Sequence, residues 1–160
     1  MLKLWQNKDN NLELPAIIHQ AGNKLLEETK AIYVDNNVEE NNEIQVKSFI
    51  EDMPEAYGWA DLVIARSGAL TVAEVAAVGV ASILIPLPYS IDDHQRHNAL
   101  YLANEGGAIL MSQAELTAEK LLTTLLDLNN NREKLIKIGE KAFALRDNNA
   151  ADKVAEFCLE

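Results

Sequence analysis

The segment "RSGALTVAE" (residues 66–74) combines a glycine, two hydroxyl side chains and a carboxylate at a predicted helix start. It follows the apolar run "LVIA" and leads into helical spacing. A helix start has unpaired N–H groups and a partial positive charge, so it can hold a phosphate without a lysine. Gly68 would let the backbone approach such an anion closely. The segment is therefore a candidate phosphate-binding turn.

A capping box explains the same residues without a ligand. Thr71 would cap the helix, and Glu74, three residues later, would complete the box. Short Ser/Thr-x-x-Glu matches are common, so spacing alone favours this purely structural interpretation.

A second polar segment, "PLPYSIDDHQRHNA" (residues 86–99), follows the next apolar run. Gln95 and Asn98 are three residues apart and share a helix face. Their amides offer donors and acceptors suited to sugar hydroxyls.

The same segment resembles a metal site only superficially. His94 and His97 are three residues apart and lie near Asp92 and Asp93. The sequence lacks an HExxH pattern, and acidic residues in a first turn are ordinary partners of the helix dipole. We therefore predict no metal and expect His97 to be a packed or surface histidine.

A third candidate is Ile50 in "VKSFIEDM", where its backbone could pair with a flat heterocycle. Considered alone, Phe49 and Ile50 are better explained as core residues. Glu51 and Asp52 are most simply the acidic entry to the following helix.

The elements that position these residues alternate along the chain. Short β-rich runs and helical runs follow one another: "AIIHQ" and "NKLLEETKAIY", "IQVKSFI" and "MPEAYGWA", "LVIA" and "LTVAEVAAV", "ASILIPL" and "DHQRHNALYLAN", then "GAILM" and three helical stretches. Runs that are apolar throughout are typical of parallel strands covered on both faces. This order predicts an α/β doubly wound domain, in which ligands bind at the carboxyl ends of the strands.

Breaker residues support that order. Gly79 is expected to end a helix, and the "EGG" at residues 105–107 to turn the chain into the next strand. Thr117 is expected to cap a helix, and "NNN" at residues 129–131 to separate two helices. The polar stretch Val34–Glu43 fits a surface loop, so one domain is predicted.

Composition narrows the choice of partners. The chain has 160 residues, 48% of them hydrophobic, a formal net charge of -11 and a pI near 4.7. This acidity disfavours nucleic acid and anionic lipid as partners and favours a small molecule or another protein. The only cysteine, Cys158, cannot form an internal disulfide, so a cytoplasmic location is expected. No run reaches the about 18 apolar residues that a membrane-spanning helix needs. The spacing of Leu2 and Trp5 predicts that Met1–Glu13 begins as a helix, and this segment lacks the features of a signal peptide.

The stretch from "FIEDM" through "RSGALTVAE" to "DDHQ..NA" closely resembles the carboxyl-terminal half of the MurG family, and the resemblance covers nearly the whole chain. The family transfers N-acetylglucosamine from UDP-N-acetylglucosamine to undecaprenyl-pyrophosphoryl-N-acetylmuramyl-pentapeptide, with inversion, in peptidoglycan synthesis. The resemblance implies a two-lobed GT-B enzyme of which residues 1–160 are the donor-nucleotide-binding domain. It also implies a full-length enzyme peripheral to the cytoplasmic face of the inner membrane.

The resemblance also implies roles for individual residues. Ile50 would meet uracil through its backbone, and Glu74 would accept hydrogen bonds from the ribose hydroxyls. Gln95 and Asn98 would hold the sugar hydroxyls. The helix start would contact the diphosphate and sugar and stabilise the UDP leaving group, without a metal or another cofactor, and Arg66, Ser67 and Gly68 would shape the turn. The residues expected to bind the donor from this helix are Ala69, Leu70, Thr71, Val72, Ala73 and Glu74.

The family pattern departs from this chain at the amino end. The sequence does not contain the acceptor lobe or its candidate base. It also lacks the first strand expected for the donor-binding lobe and the "GGS"-type loop that would follow that strand. His19 belongs to a strand end of this lobe and is not that base. We therefore expect weak donor binding, no sugar transfer by the chain alone, and access to the lipid-linked acceptor only through the other lobe. An unpaired sheet edge would favour self-association.

Two other functions are compatible with these residues. The chain could be a non-catalytic nucleotide-sugar-binding subunit of a two-chain glycosyltransferase, in which a partner chain supplies the other lobe. A sugar-nucleotide epimerase of the same fold would react donor without acceptor, and it ranks last because it too needs two lobes.

Overall fold

The computed structural model describes residues 15–89 and 91–147. Its strands are β1 Ile17–Gln20, β2 Ile44–Lys47, β3 Leu62–Ala65, β4 Ala81–Leu84 and β5 Ile109–Leu110. Its helices are α1 Leu26–Asp35, α2 Met53–Trp59, α3 Ala69–Val78, α4 His94–Ala103 after a 3-10 turn at Ile91–Asp93, α5 Ala118–Asn130 and α6 Arg132–Ala144. The predicted alternation is confirmed. Three predicted features lie outside the described residues: the helical start at Met1–Glu13, the third terminal helix and Cys158.

The described strands form two parallel ladders. β1 pairs with β2, with Ile17 opposite Ile44. β4 pairs with β3 on one side and β5 on the other, with Leu62 opposite Ala81 and Ile83 opposite Ile109. A helix lies between successive strands of each ladder, which confirms the Rossmann-like α/β class. All four β4 residues are buried, which explains why this strand shows no polar alternation.

The chain divides into two compact units. The first comprises the described residues up to Ala56 together with Thr117–Asp127. The core beside β2 consists of Tyr33, Val38, Ile44 and Val46, against which Ala21 and Leu26 pack.

The second unit comprises Tyr57–Leu116 and the described residues from Leu128 onward. Helices α3 and α6 pack against each other in this unit, and α6 also packs on β4. Their backbones approach so closely at Gly139 that a Cβ there would overlap the carbonyl oxygen of Gly79. The fully buried side chains of this unit include Val75, Ile83, Leu84, Leu102 and Ala142.

The predicted helix ends are present. Gly79 adopts a left-handed conformation (φ 75°) at the end of α3. The Thr117 hydroxyl accepts the N–H of Lys120 at 3.1 Å and so caps α5. Asn131 separates α5 from α6 and caps α6. Gly106 in the "EGG" turn also has positive φ (75°).

Within residues 15–89 and 91–147, no helix combines the length and apolar character needed to cross a membrane.

Candidate functional site

Helix α3 begins directly after a short turn that follows β3. Gly68 is its N-cap residue, with extended backbone angles (φ -61°, ψ 151°). The first hydrogen bond of the helix runs from the Val72 N–H to the Gly68 carbonyl at 3.0 Å. The N–H groups of Ala69, Leu70 and Thr71 therefore precede the ladder, and no side chain among the described residues caps them at Gly68. The result is an open helix start.

The predicted capping box is wrong. Thr71 lies inside α3 and not ahead of it, because the helix already begins at Ala69. The Glu74 carboxylate does not reach back to the helix start but accepts a hydrogen bond from the Tyr57 hydroxyl at 2.9 Å. Gly68 is therefore the N-cap residue of α3, and Ser67, immediately before it, is completely buried.

The predicted donor-binding residues of α3 differ in exposure. Ala69, Ala73 and Glu74 are exposed, and Leu70 is 79% exposed. Val72 is only 6% exposed, and its amide is already part of the helix ladder, so Val72 offers a ligand neither its side chain nor its N–H.

Gly68 has no packing role within the described structure. A Cβ added there would meet only the Thr71 hydroxyl oxygen, at 3.9 Å, among the residues described. Its φ is also one that any residue adopts. The fold therefore leaves open space over this backbone segment.

The turn before α3 is tied to the next strand end by hydrogen bonds. The Ser67 hydroxyl donates to the Gln95 carbonyl at 2.7 Å, and the Asn98 amide donates to the Ser67 carbonyl at 3.1 Å. Arg66 donates through Nη1 to the carbonyls of Ile85 (3.3 Å) and Pro86 (3.2 Å). The two polar segments singled out from the sequence are therefore brought together.

Gln95 and Asn98 are both half-buried and use only part of their amide groups in these bonds. Gln95 Oε1 accepts the Leu87 N–H at 2.9 Å, and Asn98 Nδ2 contacts Ser67. Gln95 Nε2 and Asn98 Oδ1 have no hydrogen-bond partner in the part of the chain that the structure describes. One polar atom of each amide thus remains for a ligand.

The acidic turn ahead of α4 has unusual backbone geometry. Asp92 and Asp93 both have positive φ (50° and 52°), a conformation that aspartate tolerates better than most residues. Asp93 pairs with Arg96 at 3.8 Å, and His97 is exposed. Across residues 15–89 and 91–147, no group of three or more His, Cys, Asp or Glu side chains could hold a metal ion.

Tyr57 was not among the residues predicted from the sequence. This residue of α2 is 6% exposed, and its hydroxyl holds the Glu74 carboxylate. Burial, then the hydrogen bond and charge of Glu74, raise the pKa of Tyr57 to about 12, so the phenol stays a donor at neutral pH. Nothing in the sequence relates position 57 to position 74, because the two residues lie on different helices.

Ile50 lies in the first unit, in the loop after β2. Its N–H donates to Gln20 Oε1 at 2.9 Å. Phe49 is 63% exposed, so its assignment to the core is wrong: β2 ends at Lys47, and Phe49 belongs to the loop. Asp52 accepts the Glu55 N–H at 2.8 Å, which confirms the acidic entry to α2.

His19, also in the first unit, packs against Tyr33. Nδ1 of His19 lies 3.2 Å from the Tyr33 hydroxyl, and the two ring centroids are 5.8 Å apart. Burial lowers the pKa of His19, which favours the neutral ring.

Comparisons with known proteins show the family and the fold to which this chain is similar. Residues 2–154 match the model of the glycosyltransferase family 28 C-terminal domain. The chain is 48% identical over 146 residues to the UDP-N-acetylglucosamine–N-acetylmuramyl-(pentapeptide) pyrophosphoryl-undecaprenol N-acetylglucosamine transferase of Dechloromonas aromatica (strain RCB), covering 91% of this chain and 40% of that protein. It is 44% identical to the protein of the same name from Marinobacter nauticus, covering 91% of this chain and 39% of that protein.

A solved structure has the same fold. The crystal structure of Acinetobacter baumannii MurG superimposes with a TM-score of 0.81 at 43% identity, covering 98% of this chain and 43% of that one. The chain thus spans about two fifths of the length of the relatives it matches.

Proposed function

Because this chain belongs to the glycosyltransferase family 28 C-terminal domain family, we propose that residues 1–160 are the donor-binding lobe of a two-lobed N-acetylglucosaminyltransferase. The donor is UDP-N-acetylglucosamine. The acceptor is undecaprenyl-pyrophosphoryl-N-acetylmuramyl-pentapeptide, which the other lobe binds at the cytoplasmic face of the membrane. The names of the relatives support this choice of donor and acceptor.

The open start of α3 is the observation that carries the proposal. Three consecutive N–H groups precede the helix ladder there, and the positive end of the helix dipole coincides with them. The chain as a whole is acidic, with a formal net charge of -11, so long-range attraction would not bring a diphosphate to this site. Local N–H groups and the Arg66 guanidinium, which lies beside the turn, are suited to hold it.

The neighbouring side chains suit the rest of the donor. The exposed Glu74 carboxylate can accept hydrogen bonds from the two ribose hydroxyls, and Gln95 Nε2 and Asn98 Oδ1 can bind hydroxyls of the sugar. We assign uracil recognition to the Ile50 backbone. Its N–H donates to Gln20 in this structure, so the base would either replace that bond or use the carbonyl oxygen.

The chemical step follows from these contacts. The acceptor hydroxyl attacks the anomeric carbon, its bond to that carbon forms, and the bond from the carbon to the diphosphate oxygen breaks. UDP leaves with additional negative charge, which the N–H groups of α3 stabilise. The acceptor hydroxyl gives up its proton to a base that we assign to the other lobe, so we expect no sugar transfer by this chain alone.

Calorimetric titration of the chain with UDP-N-acetylglucosamine, UDP and GDP tests the binding proposal. We expect weak, uridine-selective binding that Glu74→Ala reduces at least tenfold, since a hydrogen bond to a charged group contributes about 1.5–3 kcal/mol. Glu133→Ala is the matched control, because Glu133 is an acidic residue in the first turn of a different helix. Equal affinity for GDP, or an unchanged affinity in Glu74→Ala, would contradict the proposal.

A transfer assay with UDP-N-acetylglucosamine and a lipid acceptor analogue tests the assignment of this chain as one lobe only. We expect no turnover by the chain alone. Turnover would show that the catalytic base lies within these residues.

A further inference from the structure

The Tyr57 and Glu74 side chains form a pair in which one partner is buried and the other is accessible. Tyr57 is 6% exposed, whereas Glu74 is exposed on α3. Their hydrogen bond, 2.9 Å from the phenol oxygen to Oε2, joins α2 to α3 within the second unit. A buried phenol without a partner would be unfavourable, so this bond also satisfies Tyr57.

The bond leaves most of the carboxylate available. An ionised carboxylate has about four acceptor positions on its two oxygens. Tyr57 occupies one position on Oε2, and Oε1 has no hydrogen-bond partner among the described residues. Two neighbouring hydroxyls can therefore be accepted while the Tyr57 bond remains in place.

We propose that Tyr57 is a positioning residue that holds the Glu74 carboxylate in the orientation required to accept the two ribose hydroxyls of a uridine nucleotide. This inference rests on the proposed function, because it takes Glu74 as the ribose contact. An exposed glutamate otherwise samples many rotamers, and a ligand must then restrict them on binding. A carboxylate held in advance avoids that cost, which is the advantage of preorganisation.

The geometry of the pair is fixed from the Tyr57 side. The pKa of Tyr57 is raised to about 12, so the phenol is the donor of this bond at neutral pH. The buried ring cannot follow the carboxylate into solvent, so the direction of the bond is set by the packing of α2.

The test compares UDP with 2′,3′-dideoxy-UDP, which lacks both ribose hydroxyls. Binding of each ligand is measured for the full chain and for Tyr57→Phe, Glu74→Ala and the double variant. We expect Tyr57→Phe to weaken UDP binding about fivefold and dideoxy-UDP binding less than twofold, because only the diol uses the carboxylate. In the Glu74→Ala background, Tyr57→Phe should have no further effect.

Tyr101→Phe is the matched control. It removes a tyrosine hydroxyl bond of the same unit, from Tyr101 to the Leu145 carbonyl at 2.6 Å, in which Glu74 takes no part. Its affinity for both ligands should equal that of the unmodified chain. NMR detection of the Tyr57 hydroxyl proton, present in the unmodified chain and lost in Glu74→Ala, checks the bond without any ligand.

The outcomes separate the two proposals. Equal weakening of UDP and dideoxy-UDP by Tyr57→Phe would mean that Tyr57 only supports the fold, and would overturn this inference while leaving donor binding intact. Additive effects in the double variant would overturn it as well. If the folded chain, with its Tyr57 hydroxyl proton observed, bound no UDP, the proposed function would fail, and the role of Tyr57 toward a diol would fail with it.

Discussion

The starts of helices α3 and α6 have opposite construction. At α6 the Asn131 side chain accepts the Lys134 N–H at 3.2 Å, so the protein caps this helix itself. At α3 the N-cap residue is Gly68, which has no side chain to do so. The acidic residues differ too: Glu133 pairs with Lys137 of its own helix at 3.8 Å, whereas Glu74 is held by Tyr57 of another helix.

The difference indicates which helix start is available to a ligand. A side-chain cap satisfies one of the free N–H groups and occupies the space in front of them. The α6 start is closed in this sense and serves stability. The α3 start is open, with exposed residues and unoccupied space over Gly68, and this is the feature expected of an anion site.

Closing the open start should have the largest effect. Gly68→Asp adds a capping carboxylate at a position whose backbone angles accept any residue. We expect the free energy of unfolding to rise by a few tenths of a kcal/mol and the affinity for UDP to fall about 100-fold, because the carboxylate would repel the diphosphate. Calorimetry and thermal unfolding measure the two effects.

Gly68→Asn is the control for charge, since it adds a similar cap without a negative charge. It should lose much less affinity than Gly68→Asp. Unchanged UDP affinity in Gly68→Asp would show that the α3 start is not the diphosphate site.

Removing the cap at the start of α6 should have a smaller effect, and only on stability. Asn131→Ala removes the cap of α6, so we expect the free energy of unfolding to fall by about 1 kcal/mol, with UDP affinity unchanged. Denaturant unfolding checks the first expectation, and Asn131→Asp, which retains a cap, is the control. A loss of affinity without a loss of stability would remove the distinction between the two helix starts.

The last prediction concerns pH and the Tyr57 bond. The pKa of Tyr57 is raised from 10.0 to about 12 in the folded chain, so above pH 10 the phenol ionises more readily in the unfolded chain. The stability that this residue contributes is therefore fully present below pH 10 and is lost as pH rises toward 12. We expect the unmodified chain to lose stability more steeply than Tyr57→Phe across this range, as followed by denaturant unfolding at each pH. Parallel slopes would contradict the shifted pKa.

Much of the fold could be predicted because it depends on local patterns. The strand "ASIL" is apolar throughout and is buried throughout, and Gly79 ends α3 in the left-handed conformation that glycine favours. Thr117 and Asn131 begin helices because their side chains can reach an N–H three residues ahead. Each of these features involves residues close together in the chain.

Expectations failed where two segments compete for the same residue. The Thr71 and Glu74 spacing satisfies the rule for a capping box, but α3 already begins at Ala69, and Tyr57 binds the carboxylate. Phe49 is a large apolar residue of the kind found in cores, but it lies beyond the end of β2 and is exposed. The roles of Gln95, Asn98 and Ile50 toward the donor stay predictions.

The sequence by itself determined the order of strands and helices, the parallel α/β class, most of the helix ends and the family to which the chain belongs, because periodicity, breakers and motifs are local properties. Only the tertiary structure decided that the α3 start is open, that Ser67, Gln95 and Asn98 join two strand ends, and that Tyr57 holds Glu74. Those contacts link residues that are 17 to 31 positions apart. Bonds of that kind exist only after separate strands and helices have packed, since no local pattern specifies which side chains then meet.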